Sequence, residues 1–355
     1  MNRLLITGGA GFIGSNFVKY MRATHLDWTL VNLDALTYAG NLENLKELEE
    51  DPRYIFVKGD ITDRSQVAYL FDEYDFDFVV NFAAESHVDR SIREPEVFLK
   101  TNVLGTQCLL DCAKTKWQTG KDEQGYPVYR EGVKYLQVST DEVYGTLSKT
   151  GMFTETTLIA PNSPYSASKA SADMVVRAYG QTYKLPINIT RCSNNYGPYQ
   201  FPEKLIPLMI GNTLENRPLP IYGDGMQVRD WLHVTDHCRA IDTVLQKGRT
   251  GEVYNIGGNN EKANIEIVRL IIKTLGKEES LIRYVEDRLG HDRRYAIDNN
   301  KITSELGWSP SYTFEQGILM TIEWYLANRE WLDNVRSGAY MAYYEAYYSE
   351  SNVLS

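Results

Sequence analysis

The chain has 355 residues, of which 43% are hydrophobic, so it can bury one large core and a smaller one, and a disordered chain is excluded. Its 47 acidic and 37 basic residues give a formal charge of -10, which argues against general nucleic-acid binding. No stretch approaches the roughly 20 apolar residues of a membrane span, and the N-terminus turns glycine-rich too early for a signal peptide. We therefore expect a cytoplasmic protein with no membrane partner, whose four sparse cysteines are reduced.

Short apolar runs alternate with helical patterns along the first half of the chain, which is typical of a doubly wound parallel sheet. A polar segment at 116–132 interrupts this pattern and is predicted to be a surface insertion. The sequence therefore predicts an α/β fold with a Rossmann-type sheet, whose strands are residues 3–7, 28–34, 54–58, 77–82, 133–139 and 186–192.

Prolines become frequent after about residue 193, which indicates a smaller, mixed α/β second domain. Two later runs, 231–247 and 252–257, predict a helix and a strand that return to the first domain, and 264–275 predicts an amphipathic helix of the second. The tyrosines at 340–348 suggest a docking helix. We expect residues 1–193 and about 230–262 to form the first domain, and 194–229 and about 263–355 the second.

A glycine-rich motif, TGGAGFIG (7–14), follows the first predicted strand and opens a helix. Gly8, Gly11 and Gly14 would allow a tight turn and close approach of the backbone to a pyrophosphate at the helix N-terminus. Asp34 ends the second predicted strand, where a carboxylate accepts hydrogen bonds from ribose hydroxyls and repels a 2'-phosphate. The motif favours NAD over NADP, and the alternative is a Rossmann domain that binds no dinucleotide.

Two further patterns suggest an oxidation and an elimination in one site. Tyr165 and Lys169 lie one helical turn apart, and a lysine charge could stabilise a tyrosine phenolate. Asp141 and Glu142 follow Thr140 at the end of a predicted strand, and paired carboxyls could supply an acid and a base. Each pattern alone is weak, since a Tyr-x-x-x-Lys spacing arises by chance and an acidic pair can be a solvated loop.

Arginines are candidates for binding a diphosphate, because guanidinium groups match phosphate geometry. Arg229 stands in QVRDW (227–231), and three more lie in DRLGHDRR (287–294). Surface ion pairs are the alternative explanation.

Together these residues resemble the extended short-chain dehydrogenase/reductase family, in which Thr140, Tyr165 and Lys169 match the catalytic positions. Within it, four segments are similar to the 4,6-dehydratase branch acting on nucleotide-activated sugars: AAESHVDRS (83–91), TDEVYG (140–145), CSNNYGP (192–198) and RDWL (229–232). One departure is Leu289, where that branch usually has proline, so the loop there is expected to be less rigid.

The resemblance implies a lyase that uses tightly bound NAD to convert dTDP-glucose to dTDP-4-keto-6-deoxyglucose and water, and a homodimer. Thr140 would bind the C4 hydroxyl and Tyr165 would deprotonate it, while Glu142 would remove the C5 proton and Asp141 would protonate the departing C6 hydroxyl.

The resemblance also assigns binding residues. The implied cofactor contacts are Gly8, Gly11, Phe12, Ile13, Gly14, Asp34, Ala35, Leu36, Thr37, Asp60, Ile61, Phe82, Ala83, Ala84, Ser86, Thr101, Tyr165, Lys169 and Asn195. The implied substrate contacts are Ser86, Thr140, Asn194, Lys204, Leu205, Pro220, Tyr222, Arg229, Asn264, Arg288 and His291.

Several alternatives stay open at this point. A UDP-sugar 4-epimerase or decarboxylase would use NAD and Tyr165 in the same way, and a GDP-mannose 4,6-dehydratase would prefer NADP. A non-catalytic dinucleotide sensor is a more distant alternative. His233 and His237 share a helical spacing, but no third ligand accompanies them, so no metal is expected.

Overall fold

The protein is described by a computed structural model, in which residues 2–287 and 290–338 are described. The strands of this part, in chain order, are β1 (Arg3–Thr7), β2 (Thr29–Asp34), β3 (Tyr54–Lys58), β4 (Phe78–Asn81), β5 (Gln118–Lys121), β6 (Pro127–Tyr129), β7 (Lys134–Thr140), β8 (Ile187–Cys192), β9 (Asn194–Tyr196), β10 (Leu219–Tyr222), β11 (Val228–His233), β12 (Val253–Ile256), β13 (Glu261–Ala263) and β14 (Ile282–Val285).

The helices of the same part are α1 (Phe12–Thr24), α2 (Arg64–Tyr74), α3 (Val88–Arg93), α4 (Pro95–Phe98), α5 (Thr106–Trp117), α6 (Pro164–Tyr183), α7 (Leu205–Leu214), α8 (Val234–Lys247), α9 (Asn264–Thr274), α10 (Asn300–Leu306), α11 (Phe314–Ala327) and α12 (Arg329–Arg336). A π-helical segment (Leu99–Gly105) joins α4 to α5, and 3-10 helices occur at Leu42–Leu48, Asp141–Tyr144 and Glu279–Leu281. The predicted docking helix at 340–348, together with Arg288 and Leu289, lies outside the described residues.

A seven-stranded parallel sheet forms the centre of the fold, in the order β12-β8-β7-β4-β1-β2-β3. It contains the six predicted strands with small shifts of their ends, and β12 is the strand predicted at 252–257. The α/β prediction with a Rossmann-type sheet is confirmed.

Both faces of this sheet are covered by helices and are buried. Since successive side chains of a strand point to opposite faces, each strand contributes to two cores. Leu4 and Ile6 of β1 pack in a core with residues of α1 and α8, whereas Leu5 packs in a second core with residues of α2, α5 and α6. These strands therefore need apolar residues at nearly every position, which explains why the sequence predicts them.

Two predicted segments need correction. The insertion at 116–132 does contain an exposed antiparallel hairpin, β5 and β6, but Trp117 is buried and its indole N–H donates to the Phe76 carbonyl at 2.7 Å. The helix predicted at 231–247 begins only at Val234, because Trp231 to His233 belong to β11, which pairs with β9 and β13.

A third core lies beyond the main sheet and joins residues from 196 to 332 of the chain. The helix predicted at 264–275 is α9, and its apolar residues Ile265, Val268, Ile271 and Ile272 are all buried in this core. The domain boundaries themselves stay a prediction. Among the described residues, no helix is both long and apolar enough to cross a membrane.

Candidate active site

A cleft of about 340 Å³ opens at the carboxyl ends of the parallel strands. Its walls come from the residues that follow β1, β2, β4, β7 and β8, which is where open α/β sheets bind ligands. The strand order reverses between β4 and β1, so the cleft lies at a topological switch point.

The glycine loop between β1 and α1 lines one end of this cleft. Gly8 has φ of +70°, and a Cβ there would lie 2.7 Å from the backbone nitrogen of Ala83. A Cβ on Gly14 would overlap the Gly8 carbonyl, so the helix could not pack this closely against the loop. The free N–H groups at the start of α1 therefore face a gap that suits a phosphate.

Asp34 fixes the turn after β2. One carboxylate oxygen accepts the Ala10 N–H and the other accepts the Leu36 N–H, each at 2.8 Å. Burial raises the pKa of Asp34, while these two hydrogen bonds oppose that change. The carboxylate thus holds the glycine loop through a hydrogen bond, at the position where a ribose hydroxyl would be expected.

Nearly all predicted cofactor residues line the cleft. Leu36 does not line it: this residue adopts a left-handed backbone conformation, with φ of 52°, and its N–H donates to the Asp34 carboxylate. The predicted residues that do line it are Gly8, Gly11, Phe12, Ile13, Gly14, Asp34, Ala35, Thr37, Asp60, Ile61, Phe82, Ala83, Ala84, Ser86, Thr101, Tyr165, Lys169 and Asn195.

The predicted acid–base pair lies in a 3-10 helix that begins directly after β7. Thr140 is its N-cap: the hydroxyl oxygen accepts the Glu142 N–H at 3.2 Å and the hydroxyl lies 3.3 Å from an oxygen of Asp141. All three residues line the cleft, so the sequence places a hydroxyl, an acid and a second carboxyl within one turn.

The two carboxyls have different surroundings. Asp141 is only 2% exposed, whereas Glu142 is partly exposed. Burial raises the pKa of Asp141 well above its usual range, and the negative charges of Glu142 and Asp230 raise it further. This shift favours the protonated form of Asp141, which suits it to act as an acid.

Tyr165 and Lys169 extend from the first two turns of α6 into the same cleft. The Tyr165 N–H donates to the Ser91 hydroxyl at 3.1 Å, which fixes the start of the helix. The Lys169 ammonium donates to the Val138 carbonyl at 2.8 Å, not to the phenol. Burial, followed by the charge of Glu142, raises the pKa of Tyr165, and burial lowers the pKa of Lys169.

The predicted substrate residues fall into two groups. Ser86, Thr140, Asn194 and Lys204 line the cleft, and the Lys204 ammonium lies 3.4 Å from the Ser86 carbonyl. Outside its walls lie Leu205 at the start of α7, Pro220 and Tyr222 on β10, Arg229 on β11, Asn264 at the start of α9, and His291.

Arg229 lies outside the cleft walls but close enough to affect the charge of Asp141. Its guanidinium donates to the Asp292 carbonyl at 2.9 Å and lies 4.3 Å from the centre of the Tyr295 ring. Its positive charge also opposes the rise in the pKa of Asp141, so it lies within electrostatic range of the acid. Nearby, His291 contacts the Asp287 carboxylate at 2.6 Å.

Sequence reasoning missed Glu203, which lines the cleft and a neighbouring cavity of about 570 Å³. It lies 3.3 Å from the His87 ring, and burial raises the pKa of Glu203 to about 7. Tyr38 and Phe201 line both cavities and were missed as well. The position of Glu203 beside the predicted ligand Lys204 is the signal that could have identified it.

The two histidines with helical spacing, His233 and His237, are both buried inside the protein. His237 faces the amide oxygen of Asn195 at 2.9 Å, and burial lowers its pKa to about 3. Burial likewise lowers the pKa of His233 to about 4. In residues 2–287 and 290–338, no three metal-binding side chains form a group.

The cleft combines a glycine loop, a turn after β2 that is held by Asp34, and a Tyr165–Lys169 pair on α6. These features are those of an extended short-chain dehydrogenase/reductase. A family model described as GDP-mannose 4,6 dehydratase matches residues 5–321. The dTDP-glucose 4,6-dehydratase of Xanthomonas campestris pv. campestris (strain B100) is 57% identical over an alignment of 345 residues, which covers 95% of this chain and 96% of that protein.

Solved structures agree with this match. The dTDP-glucose 4,6-dehydratase of Bacillus anthracis str. Ames, in complex with NAD, is 55% identical with a TM-score of 0.85, and the alignment covers 94% of this chain and 100% of that one. DesIV, the dTDP-glucose 4,6-dehydratase of Streptomyces venezuelae with NAD and TYD bound, is 49% identical with a TM-score of 0.87, and the alignment covers 94% of this chain and 99% of that one. The chain belongs to the dTDP-glucose 4,6-dehydratases of this family.

Proposed function

We propose that this protein is a lyase that converts dTDP-glucose to dTDP-4-keto-6-deoxyglucose and water with tightly bound NAD. The observation that carries the proposal is the buried carboxyl of Asp141, which lies next to Glu142 in the cleft that Tyr165 and Lys169 also line. An oxidation alone needs only the tyrosine and the lysine, whereas loss of water also needs an acid and a base.

The residues present fit NAD. The glycine loop leaves room for a pyrophosphate at the start of α1, and the Asp34 carboxylate would repel a 2'-phosphate. When bound in this cleft, NAD would supply a positive charge and a reversible acceptor for the hydride that leaves C4 and returns at C6.

The oxidation step requires a proton to leave the C4 hydroxyl. Thr140 would hydrogen-bond this hydroxyl, and Tyr165 as phenolate would accept its proton. Burial raises the pKa of Tyr165, so its phenol is protonated in the free protein. Lys169 lies one turn further along α6, and its positive charge favours the phenolate. Lys169 acts here through its charge, since its ammonium hydrogen-bonds Val138.

The elimination step follows from the difference between the two carboxyls. A carbonyl at C4 acidifies the C5 proton, and Glu142, the more exposed of the pair, would remove it. Asp141 holds its proton because of burial and the neighbouring negative charges, and would give it to the departing C6 hydroxyl. Water then leaves C6, the hydride taken from C4 would return to C6, and the proton that Glu142 removed would return to C5.

The nucleotide-sugar is proposed to lie between the main sheet and a second domain of residues 194–229 and about 263–355. The third core supports most of this division, because it joins helices and strands from that part of the chain, but it also includes Trp231, and Ile302 and Trp308 pack in the core of the main sheet. Lys204 lines the cleft and the charge of Arg229 acts on Asp141, and positive charges of this kind suit a diphosphate. The roles of Tyr222, Asn264, Arg288 and His291 stay predictions of the same kind.

We also propose a cytoplasmic homodimer. Large apolar side chains remain exposed on the helical run from α4 to α5 and on α6, which pack against each other: Val97 at 42%, Leu99 at 50%, Leu104 at 58% and Met174 at 41%. The cysteines are free and buried, which suits a reducing compartment.

The test is turnover by purified protein on a panel of dTDP-, UDP- and CDP-glucose. We expect dTDP-glucose to give a 4-keto sugar, detected by its absorbance in alkali, without net formation of NADH. Activity on UDP- or CDP-glucose but not dTDP-glucose would contradict the nucleotide assignment. A product epimeric at C4 that keeps its C6 hydroxyl would indicate an epimerase.

A further inference from the structure

Two buried carboxyls reach the same short segment of chain from opposite sides. Thr140, the last residue of β7, pairs with Cys192 in β8, and Asp141 follows it. Two residues after Cys192, Asn194 pairs with Trp231 of β11, and Asp230 precedes that tryptophan. Because neighbouring strands lie about 4.8 Å apart, this register brings both aspartates beside residue 193.

Backbone donors favour the charged form of Asp230. Its oxygens accept the Gly258 N–H at 3.0 Å and the Asn260 N–H at 2.7 Å, from the turn between β12 and β13. A Cβ on Gly257 would lie 2.5 Å from the carboxylate, so the glycine permits this close turn. Burial raises the pKa of Asp230 to about 6, and the backbone hydrogen bonds oppose that rise.

We propose that Asp230, held close to Asp141 by the pairing of β11 with β9, is a positioning residue whose negative charge helps Asp141 to act as the acid that protonates the departing hydroxyl. The inference rests on the proposed dehydration, because it concerns the acid of that reaction. It assigns a role to a side chain, 1% exposed and outside the cleft walls, that the binding and catalytic predictions did not include.

Other groups around Asp141 do not replace this charge. Glu142 acts in the same direction, but as the proposed base it is needed to change its own protonation during the reaction. Arg229 acts in the opposite direction. The remaining titratable or hydrogen-bonding groups of the adjacent elements are Thr140, Tyr165, Lys169, Cys192 and Tyr295. Of the negative charges that act on Asp141 in the described part of the chain, Asp230 is the one that has no other proposed task.

The direct test measures the protonation of Asp141 without substrate. Infrared difference spectra over a pH series should contain the carbonyl band of a protonated carboxyl, assigned to Asp141 by its loss in Asp141→Asn. In Asp230→Asn, we expect this band to disappear at a pH lower by about 1 to 2 units, because one nearby negative charge is removed. An unchanged titration in the folded variant would overturn the proposal.

A kinetic measurement adds a second readout. Dehydration requires protonated Asp141, so the alkaline limb of the kcat profile should move to lower pH in Asp230→Asn while KM changes little. At pH values above this limb, we expect the kcat of Asp230→Asn to be about tenfold lower than that of the wild type. At acid pH, its kcat should approach the wild-type value. A uniform loss at every pH would instead indicate a merely structural role and would overturn the proposal.

Asp236→Asn is the matched control. Asp236 is also buried and accepts two backbone N–H groups, from Ser311 at 2.8 Å and Tyr312 at 3.0 Å. Its replacement should affect stability without moving the Asp141 band. If Asp230→Asn fails to fold, Asp230→Ser tests the same loss of charge in a smaller side chain, and Asp230→Glu should keep the band near its wild-type titration.

The two proposals can fail separately. A shifted infrared titration in a protein that does not dehydrate dTDP-glucose would refute the proposed function and leave the electrostatic role of Asp230 intact. An active dehydratase with an unshifted titration would refute the role of Asp230 alone.

Discussion

Arg191 of β8 donates to the carboxylate of Asp173 on α6 at 2.9 Å, and both side chains are buried. A second guanidinium nitrogen donates to the Tyr144 hydroxyl, also at 2.9 Å. Asp173 lies one turn beyond Lys169, and Tyr144 ends the 3-10 helix that carries Asp141 and Glu142. A single arginine therefore links the two segments that hold the proposed oxidation and elimination groups.

This buried pair leads to a prediction about stability. Arg191→Met should lower the free energy of unfolding by about 3 to 5 kcal/mol, because it leaves the Asp173 carboxylate buried without its partner. Replacing both residues, as Arg191→Met with Asp173→Leu, should restore much of this loss, since an apolar pair carries no desolvation cost. Urea unfolding followed by circular dichroism checks both; a double variant no more stable than the single one would contradict the explanation.

Tyr165→Phe should lower kcat by about 100-fold to 10,000-fold, because the C4 hydroxyl loses its proposed base. The fold should be kept, since the phenol oxygen has no hydrogen bond among the described contacts. The exposed Tyr69→Phe serves as control, with unchanged kcat. Near wild-type turnover in Tyr165→Phe would remove this tyrosine from the mechanism.

Glu142→Gln should keep some oxidation of C4 yet block elimination, because an amide cannot remove the C5 proton. Mixing the variant with dTDP-glucose should therefore produce the absorbance of reduced nicotinamide on the protein, with little 4-keto-6-deoxy product. The exposed Glu96→Gln is the control and should turn over normally. Unchanged dehydration by Glu142→Gln would show that another group acts as the base.

The buried His237 predicts a pH dependence of stability. Its folded-state pKa is about 3, below the usual 6.5, so the unfolded chain takes up a proton first as the pH falls. The stability contributed by the neutral ring is present above about pH 6.5 and decreases toward pH 3 by about 1.4 kcal/mol per pH unit.

His237→Gln cannot take up this proton and can still donate to Asn195. Urea unfolding between pH 7 and pH 5 should give the variant a shallower slope of stability against pH than the wild type. Equal slopes in the two proteins would mean that His237 does not titrate on unfolding in this range.

The fold and the cofactor cleft could be predicted because their signals are local. Parallel strands buried on both faces read as apolar runs, and the glycine loop allows only the residues that its close contacts tolerate. Leu36 stays a predicted cofactor contact: it does not line the cleft although Ala35 and Thr37 do, since the backbone conformation decides which residues of this turn face the cleft.

The energetics of the site could not be predicted in the same way. Which carboxyl of Asp141 and Glu142 holds a proton depends on burial and on Asp230, which is distant in sequence and reaches the acid only through the pairing of β11 with β9. Glu203 likewise becomes a buried, titratable group only when α3 and the segment before α7 meet at His87. Contacts of this kind come from topology and leave no periodic pattern in the sequence.

The central claim is that one site oxidises C4, removes water and returns the same hydrogen to C6. It is tested most directly by turnover of dTDP-glucose carrying deuterium at C4, with the product examined by NMR and mass spectrometry. The account predicts deuterium in the C6 methyl group, a ketone at C4 and no net change in NAD. Deuterium released into free reduced cofactor, or retained at C4, would contradict it.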